Sequence, residues 1–336
     1  MSLREHLAAV VARQNLTHDS MREAVLEITE GRSTDMLIAA FLVALRMKGE
    51  TIDEITAAAE IMHEKVIPIA CESEYAIDTC GTGGDRSGTF NISTAAAILA
   101  SAAGAVVAKH GNRSISSACG SADVLKALGV NIELTPEQLS SCLRTNGFAF
   151  LFAPLLHPAM KYVMPARREL GIRTIFNILG PLTNPAKAKR HLLGVYDAAL
   201  VQPVTETLKN LGSVRAFVVH GSDGLDEITL TGPTSVGEIE NGKTRYYEIT
   251  PADYGFATVS AAALKGGDAA ANAAIIQSVM EGKPGPQTDI AVLNAAFALV
   301  ASGVAPDVPS AVTRINETIY SGAARHKLSA LQKFAP

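Results

Sequence analysis

The chain has no tryptophan among its 336 residues, and aromatic residues make up only 5% of it. Stacking platforms for unpaired bases are therefore scarce. Its four cysteines, Cys71, Cys80, Cys119 and Cys142, contain no C-x-x-C pair. That spacing indicates neither a zinc site nor a disulfide framework, and reduced thiols are expected. No apolar run reaches the roughly 18–20 residues that span a bilayer. The charged, amphipathic start MSLREHLAAVVARQ carries no signal-peptide core. A cytoplasmic protein with no membrane partner is the expectation. Positive charge does not dominate either: 29 Lys and Arg against 33 Asp and Glu leave a net charge of −4. Nucleic acid would normally demand a basic footprint, so none is expected as a partner.

What the chain does have is hydrophobic residues at 48% together with 27 glycines, enough for one large domain plus a smaller one. The first 65 or so residues read as short helices. Ser2–Glu5 and Thr51–Glu54 fit the capping box, in which a hydroxyl and a carboxylate satisfy each other's orphan amides, and Gly31 and Gly49 fall where helix-ending glycines belong. The run Met36–Leu45 is apolar nearly all round and is expected to be buried on more than one side. Such a subdomain suits a dimer interface or, equally, an ordinary core. From about residue 74 the pattern changes to strand, glycine-rich loop, helix Ser93–Ala103, strand Ala105–Ala108, segment Lys109–Cys119 and helix Ala122–Leu128. This alternation is the signature of a parallel sheet. Phe148–Phe152, Arg190–Tyr196, Ala216–His220 and Thr244–Glu248 read as further strands, and Asn177–Pro185 as a loop rich in turn residues. Asp268–Met280 and Ile290–Ser302 are helices that cover the sheet.

Four segments carry chemistry. The stretch DTCGTGGDRSGTFNIST, residues 78–94, packs Gly81, Gly83, Gly84 and Gly88 ahead of a helix. Amides of such a loop turn toward an anion, and the helix adds its positive end. It lacks the Walker lysine and the dinucleotide spacing, and a tight strand-to-helix turn is the plainer alternative. Asp85 inside the loop would repel phosphate but suits a sugar hydroxyl. Lys109-His-Gly-Asn-Arg113, close to Ser114, Ser116 and Ser117, forms a donor-rich lid for a polyphosphate, or else a solvated basic loop. Asp226 and Glu227 in the loop after Ala216–His220 suit Mg²⁺, or form an exposed acidic turn. Arg167 or Arg168, in a segment preceded by His157, could clamp a substrate carboxylate or serve as a salt-bridge partner.

Taken in order, these segments resemble the anthranilate phosphoribosyltransferase family over essentially the full length. The resemblance is carried by Gly81–Asp85, Asn91–Thr94, Lys109–Arg113, Gly120–Asp123, His157–Met160, Arg173–Asn177 and Asp226-Glu227. It implies an α/β fold: a small all-helical N-terminal domain and a larger α/β domain with a central, mostly parallel sheet flanked by helices. Residues 1–70 would form the helical domain, joined in space by helices from about 160–185, and residues 71–336 the larger one. The implied reaction makes N-(5′-phosphoribosyl)anthranilate and pyrophosphate from phosphoribosyl pyrophosphate and anthranilate, with two Mg²⁺ ions per monomer. By the same resemblance, Gly81, Gly84, Asp85, Thr89, Asn91, Ile92, Ser93 and Thr94 would surround phosphoribosyl pyrophosphate. Lys109, His110, Gly111, Asn112, Arg113, Ser114, Ile115, Ser116, Ser117 and Ser121 would complete that shell. Ser93, Asp226 and Glu227 would hold the metal, and Gly81, His110, Asn112, His157 and Arg167 would meet anthranilate. Lys109, Asn112 and Arg167 would carry the catalysis. Gly81 would lack a side chain so that anthranilate can approach the sugar carbon.

A homodimer through the helical part, and association with an anthranilate synthase component, belong to the same expectation. Ala118, Leu156 and Ala166 depart from the family pattern, the last two bearing on the shape of the anthranilate channel. Two rivals share the fold. A pyrimidine nucleoside phosphorylase would carry a Lys-His-Ser-Thr-Gly-Gly loop where this chain has Asp78–Asp85. A non-catalytic nucleic-acid-binding relative would have lost the acidic pair or the Arg113 segment and gained a basic surface.

Overall fold

The structure, a computed structural model, describes residues 1–84, 87–113 and 119–334. Four helices open the chain: α1 (Leu3–Val11), α2 (His18–Thr29), α3 (Asp35–Lys48) and α4 (Ile52–Lys65). The Thr51–Glu54 capping box closes both ways, the Thr51 amide donating to Glu54 at 2.8 Å and the Glu54 amide to the Thr51 hydroxyl at 3.2 Å. At Ser2 the carboxylate half forms, with the Ser2 amide donating to Glu5 at 2.7 Å. There follow β1 (Ile77–Gly81), α5 (Ile92–Ala102), β2 (Val107–Gly111), α6 (Ser121–Ala127), α7 (Pro136–Asn146) and β3 (Phe148–Phe152). Next come α8 (Ala153–Leu156), α9 (Met164–Leu170), α10 (Ile175–Leu182), β4 (Arg190–Gly194), α11 (Val201–Asn210) and β5 (Arg215–Gly221). The chain ends with β6 (Thr234–Glu240), β7 (Lys243–Ile249), α12 (Ala269–Met280), α13 (Pro286–Ala301), α14 (Val308–Tyr320) and α15 (Ala323–Lys333).

The strands form one sheet in the order β3-β2-β1-β4-β5-β6-β7. The first five in that order run parallel, and β6 and β7 add an antiparallel edge. Side chains alternate across a strand, and here the alternation divides two cores. Leu192, Phe217 and Val219 face a core built with α5 and α13. Leu193, Val195, Ala216 and Val218 face a second core that runs into α1–α4 and takes in Ile175, Phe176 and Leu179 of α10. Helix α9 packs on α3, and α10 on α4, so the helical bundle is completed by chain that arrives a hundred residues later.

Several expectations are corrected. Strands β1 and β2 begin later than the sequence suggests, and each runs on into its glycine, Gly81 or Gly111. Lys109 and His110 are thus strand residues, paired in register with Phe150 and Leu151, and not part of a flexible lid. The stretch read as a loop from Asn177 is helical as far as Leu182, with Pro181 inside the helix. Burial of Ile175, Phe176, Ile178 and Leu179 overrides the local propensity of Gly180 and Pro181. Strand β6 adds to the strands read from the sequence. Helix α3 buries one stripe, Ile38, Phe41, Leu42 and Leu45, and not several sides; Met36 and Met47 stand 83% and 69% exposed.

Candidate active site

The strand order reverses between β1 and β4, so the loops after these two strands leave in opposite directions and open a crevice at the carboxyl edge of the sheet. Gly81 and Gly194 lie side by side at that point, as register partners at the two strand ends. Neither is glycine for backbone freedom. A Cβ on Gly194 would run into the main chain of Asp226, and one on Gly81 into the Asp226 carboxylate. The loop after β5 is thereby laid across both strand ends. The space beside Gly81 is filled by Asp226, a constraint on that glycine in addition to the expected one.

The acidic loop is held firmly in place. Asp223 accepts from the hydroxyls of Thr229 at 2.7 Å and Thr231 at 2.6 Å. Asn294 of α13 accepts from the Ile228 amide at 3.0 Å and donates to the Ile228 carbonyl at 2.8 Å. Asp226 then accepts from the amide of Gly83 at 2.7 Å, and Glu227 from the amide of Ser93 at 3.0 Å. The second contact brings a carboxylate to the positive end of α5, whose own N-cap Asn91 makes no side-chain cap. Buried Lys109 enters from the neighbouring strand and donates to the Thr79 carbonyl and, at 3.3 Å, to the Ser93 hydroxyl. Two adjacent carboxylates and this serine suit a hard divalent cation, whose remaining positions are filled by water and substrate phosphate.

On the opposite face of β2 lies a buried imidazole pair. His110 Nδ1 is 3.0 Å from the Gly180 carbonyl and must donate there. Its Nε2 is then the acceptor in the 3.1 Å contact with His157 Nε2. Both rings are neutral in this arrangement. Burial, with His157 adding to it, pushes His110 down to about 3, and burial takes His157 down to about 4. Behind them sits Asp78, which is fully buried. It accepts from the His110 amide at 2.9 Å and from Asn184 at 2.7 Å, and Asn184 also donates to the Ala108 carbonyl at 2.8 Å. Burial raises Asp78 to about 6 against the pull of those two bonds.

Arg167 projects from α9 with its guanidinium 6.0 Å from the Phe176 ring, and among the described residues no carboxylate pairs with it. Burial lowers its affinity for a proton. Arg173, just beyond α9, donates to the Gly84 carbonyl and stacks 3.8 Å from the Tyr196 ring centre. Asn91 is consumed by the framework: it donates to the Cys119 carbonyl at 3.2 Å and accepts from Asn272 at 3.0 Å. Thr89 pairs with Lys265, which stitches the glycine loop to the segment before α12. Ile92 and Thr94 are buried in α5, facing the core. Asn112 accepts from the Arg113 amide at 2.7 Å through its side chain and from Ser121 at 3.2 Å through its carbonyl. Gly111 is forced to lack a side chain by Ser121 and Phe150. Arg113 reaches away toward Glu133, 3.8 Å distant, and over Phe152.

Leu156 and Ala166, expected to shape the channel, are both buried in the cores. Asp85, Ser114, Ile115, Ser116, Ser117 and Ala118 lie outside the described residues. Asp78, Arg173, Asn184 and Gly194 belong to this assembly although sequence reasoning assigns them no place in it. A buried acid inside an apolar strand is the one local signal for Asp78.

Comparison with known proteins agrees with this geometry. Residues 4–66 match the glycosyl transferase family helical bundle domain, and residues 73–325 the glycosyl transferase family a/b domain. The fold and site are those of a glycosyl transferase. The anthranilate phosphoribosyltransferase of Moorella thermoacetica is 51% identical over 98% of this chain and 97% of its own length. That of Clostridium kluyveri is 51% identical over 97% of each. Among solved structures, the enzyme of that name from Thermus thermophilus superposes with a TM-score of 0.92 at 40% identity, covering 98% of both chains. The enzyme from Saccharomyces cerevisiae in complex with PRPP and Mg gives 0.91 at 27% identity, covering 99% of this chain and 97% of its own. The chain belongs to the anthranilate phosphoribosyltransferase family.

Proposed function

We propose that this chain performs its family's reaction, transfer of the 5-phosphoribosyl group from phosphoribosyl pyrophosphate to the amino nitrogen of anthranilate with release of pyrophosphate, in the crevice above Gly81 and Gly194. The observation that carries the reading is the placement of Asp226 and Glu227 on the amides of Gly83 and Ser93. It joins an acidic pair to a glycine loop and a helix N-terminus, a combination that suits a diphosphate together with its divalent cation.

In this reading the loop from Gly81 to Thr94 and the segment from Lys109 to Ser121 surround phosphoribosyl pyrophosphate, with Ser93, Asp226 and Glu227 as ligands for two Mg²⁺. Bound there, Mg²⁺ would neutralise charge gathering on the departing diphosphate. Lys109, held between Thr79 and Ser93, adds a fixed positive charge at the same place. The leaving bond joins C1 of the ribose to the diphosphate, and its cleavage leaves positive charge on the sugar. Anthranilate's nitrogen needs little deprotonation before it attacks and sheds one proton to solvent once its bond to C1 forms, so catalysis rests on the leaving group and on positioning. Arg167 is the side chain for the anthranilate carboxylate, a half-buried cation with no carboxylate of its own among the described residues. Asn112 and the neutral His110–His157 pair line the approach without adding charge.

Substrate binding closes the unit of residues 1–70, with the helices of 160–185, against residues 71–336. The exposed side of α3, with Met36 and Met47, is the surface through which two copies pair. The test is consumption of anthranilate, followed by the loss of its fluorescence when phosphoribosyl pyrophosphate and Mg²⁺ are added. Purified protein that leaves anthranilate untouched with both present overturns the reading.

A further inference from the structure

The chain from α9 to Asn184 runs like a strap from the carboxyl edge of the sheet down over β1 and β2, and three of the contacts that tie it down matter here. Arg173 holds the Gly84 carbonyl, the Gly180 carbonyl meets His110 Nδ1 at 3.0 Å, and Asn184 meets Asp78 at 2.7 Å. The same strap carries Arg167. Of the three ties, only Arg173 reaches the glycine loop. Gly171, in the left-handed conformation at φ 60°, ends α9 and turns the chain so that Arg173 faces that loop.

The floor under the Arg173 guanidinium is fixed as well. The Tyr196 ring lies 3.8 Å away, the Tyr196 amide donates to the Thr82 hydroxyl at 3.0 Å, and the Thr82 amide donates to the Gly194 carbonyl at 2.9 Å. Arg173 has no carboxylate partner among the described residues. Its hydrogen bond removes an acceptor, the Gly84 oxygen, that would otherwise oppose an anion on the loop. It also makes the loop and α9 one mechanical unit.

We propose that Arg173 is a positioning residue that couples the two substrate subsites: an anion seated on the glycine loop sets Arg167 for the carboxylate of the second substrate, and the reverse. The proposal rests on the reading of the site given above. Coupling of this kind is reciprocal and is read as a ratio of binding constants. The experiment measures the Kd of anthranilate, by its own fluorescence, with and without Mg²⁺ and pyrophosphate.

In the wild type pyrophosphate tightens anthranilate by about fivefold or more. In Arg173→Gln that factor falls to about one, while the Kd of anthranilate alone and the Tm stay close to wild type. Arg173→Lys keeps the charge but loses the planar fork, and gives an intermediate factor. Should Arg173→Gln fail to fold, Tyr196→Leu, which removes only the stacking floor, is read in its place. An unchanged factor in the folded variant, or a factor of one in the wild type, overturns the proposal. A wild type that neither binds nor consumes anthranilate overturns instead the reading of the site.

Discussion

Replacing Gly194 by alanine tests the central claim about the site, that the β5 loop is seated on two bare strand ends. The added methyl would lie at less than half of an ordinary van der Waals separation from the Asp226 carbonyl. That obstacle is main chain and cannot rotate aside. Backbone at Asp226 must retreat by roughly 2 Å to restore normal contact. It cannot do so quietly, because Asn294 grips Ile228 two residues on. Overpacking of this kind costs about 1–3 kcal/mol of stability, while a displacement of about 1 Å at a catalytic group can cost about 100-fold in rate.

Gly194→Ala is therefore expected to lose about 100-fold or more in kcat/KM, with only a modest fall in Tm, and to need more Mg²⁺ for half-maximal rate. Gly81→Ala supplies the contrast, since its obstacle is the Asp226 side chain. Truncating that side chain in Gly81→Ala/Asp226→Ala should restore the Tm lost by Gly81→Ala. The same truncation should restore nothing in a Gly194→Ala background. Thermal melts and initial rates on the four variants decide the matter. A Gly194→Ala enzyme within about threefold of wild type would refute the reasoning, since misplacement of a reacting group is expected to cost far more.

Three further outcomes follow from the same geometry. Arg167→Ala removes a charge-assisted contact worth about 1.5–3 kcal/mol and should raise the KM for anthranilate by about tenfold to a hundredfold, leaving that for phosphoribosyl pyrophosphate nearly unchanged; equal effects on both would be wrong for its role. Acid should destabilise the protein between pH 6.5 and 4: His110, His157 and His191, held at about 3, 4 and 3, refuse protons that the unfolded chain accepts below 6.5. Asp78, raised to about 6, works the other way and gains stability on acidification, but it is one group against three. Urea midpoints across that range should fall with pH, and fall less steeply in His191→Leu; a rise would contradict the assignment. For the dimer proposed above, Met36→Glu should give monomers in sedimentation velocity, and dimers that survive it would remove α3 from the interface.

Local rules are readable where the physics is local. The capping residues Ser2 and Thr51, the glycine loop before α5 and the acidic pair after β5 all announce themselves within a few residues, and each is where its spacing implies. What escapes depends on partners far along the chain. Gly194 looks like any strand glycine until Asp226 is laid over it, and Arg173, which the sequence marks only as part of a family stretch, shows its contact only when Gly84 meets it. The reading of Asn177–Pro185 as a loop follows Gly180 and Pro181, whose local cost is outweighed by an apolar face that α3, α4 and the sheet cover. Strand β6 does leave a local signal. Asn241 and Gly242, with φ of 51° and 75°, form the Asn-Gly turn that joins two antiparallel strands. Lys109 and His110 are legible as functional residues but not as strand residues, because register with β3 carries β2 past the apolar run.

The strap that finishes the helical bundle also dictates an order of events on the ribosome. Helices α1–α4 are the first to emerge, yet Ile175, Phe176 and Leu179, which share their core, are made only after three strands have been synthesised. The N-terminal bundle therefore waits with apolar surface uncovered while β1, β2 and β3 are being completed. It reaches its native packing only once α10 has cleared the exit tunnel. Domains usually mature in the order of synthesis; here the first segment to appear is among the last to be sealed, and a nascent chain stalled before residue 175 should be far more open to protease in residues 1–65 than one stalled far enough beyond Leu182 for α10 to have left the tunnel.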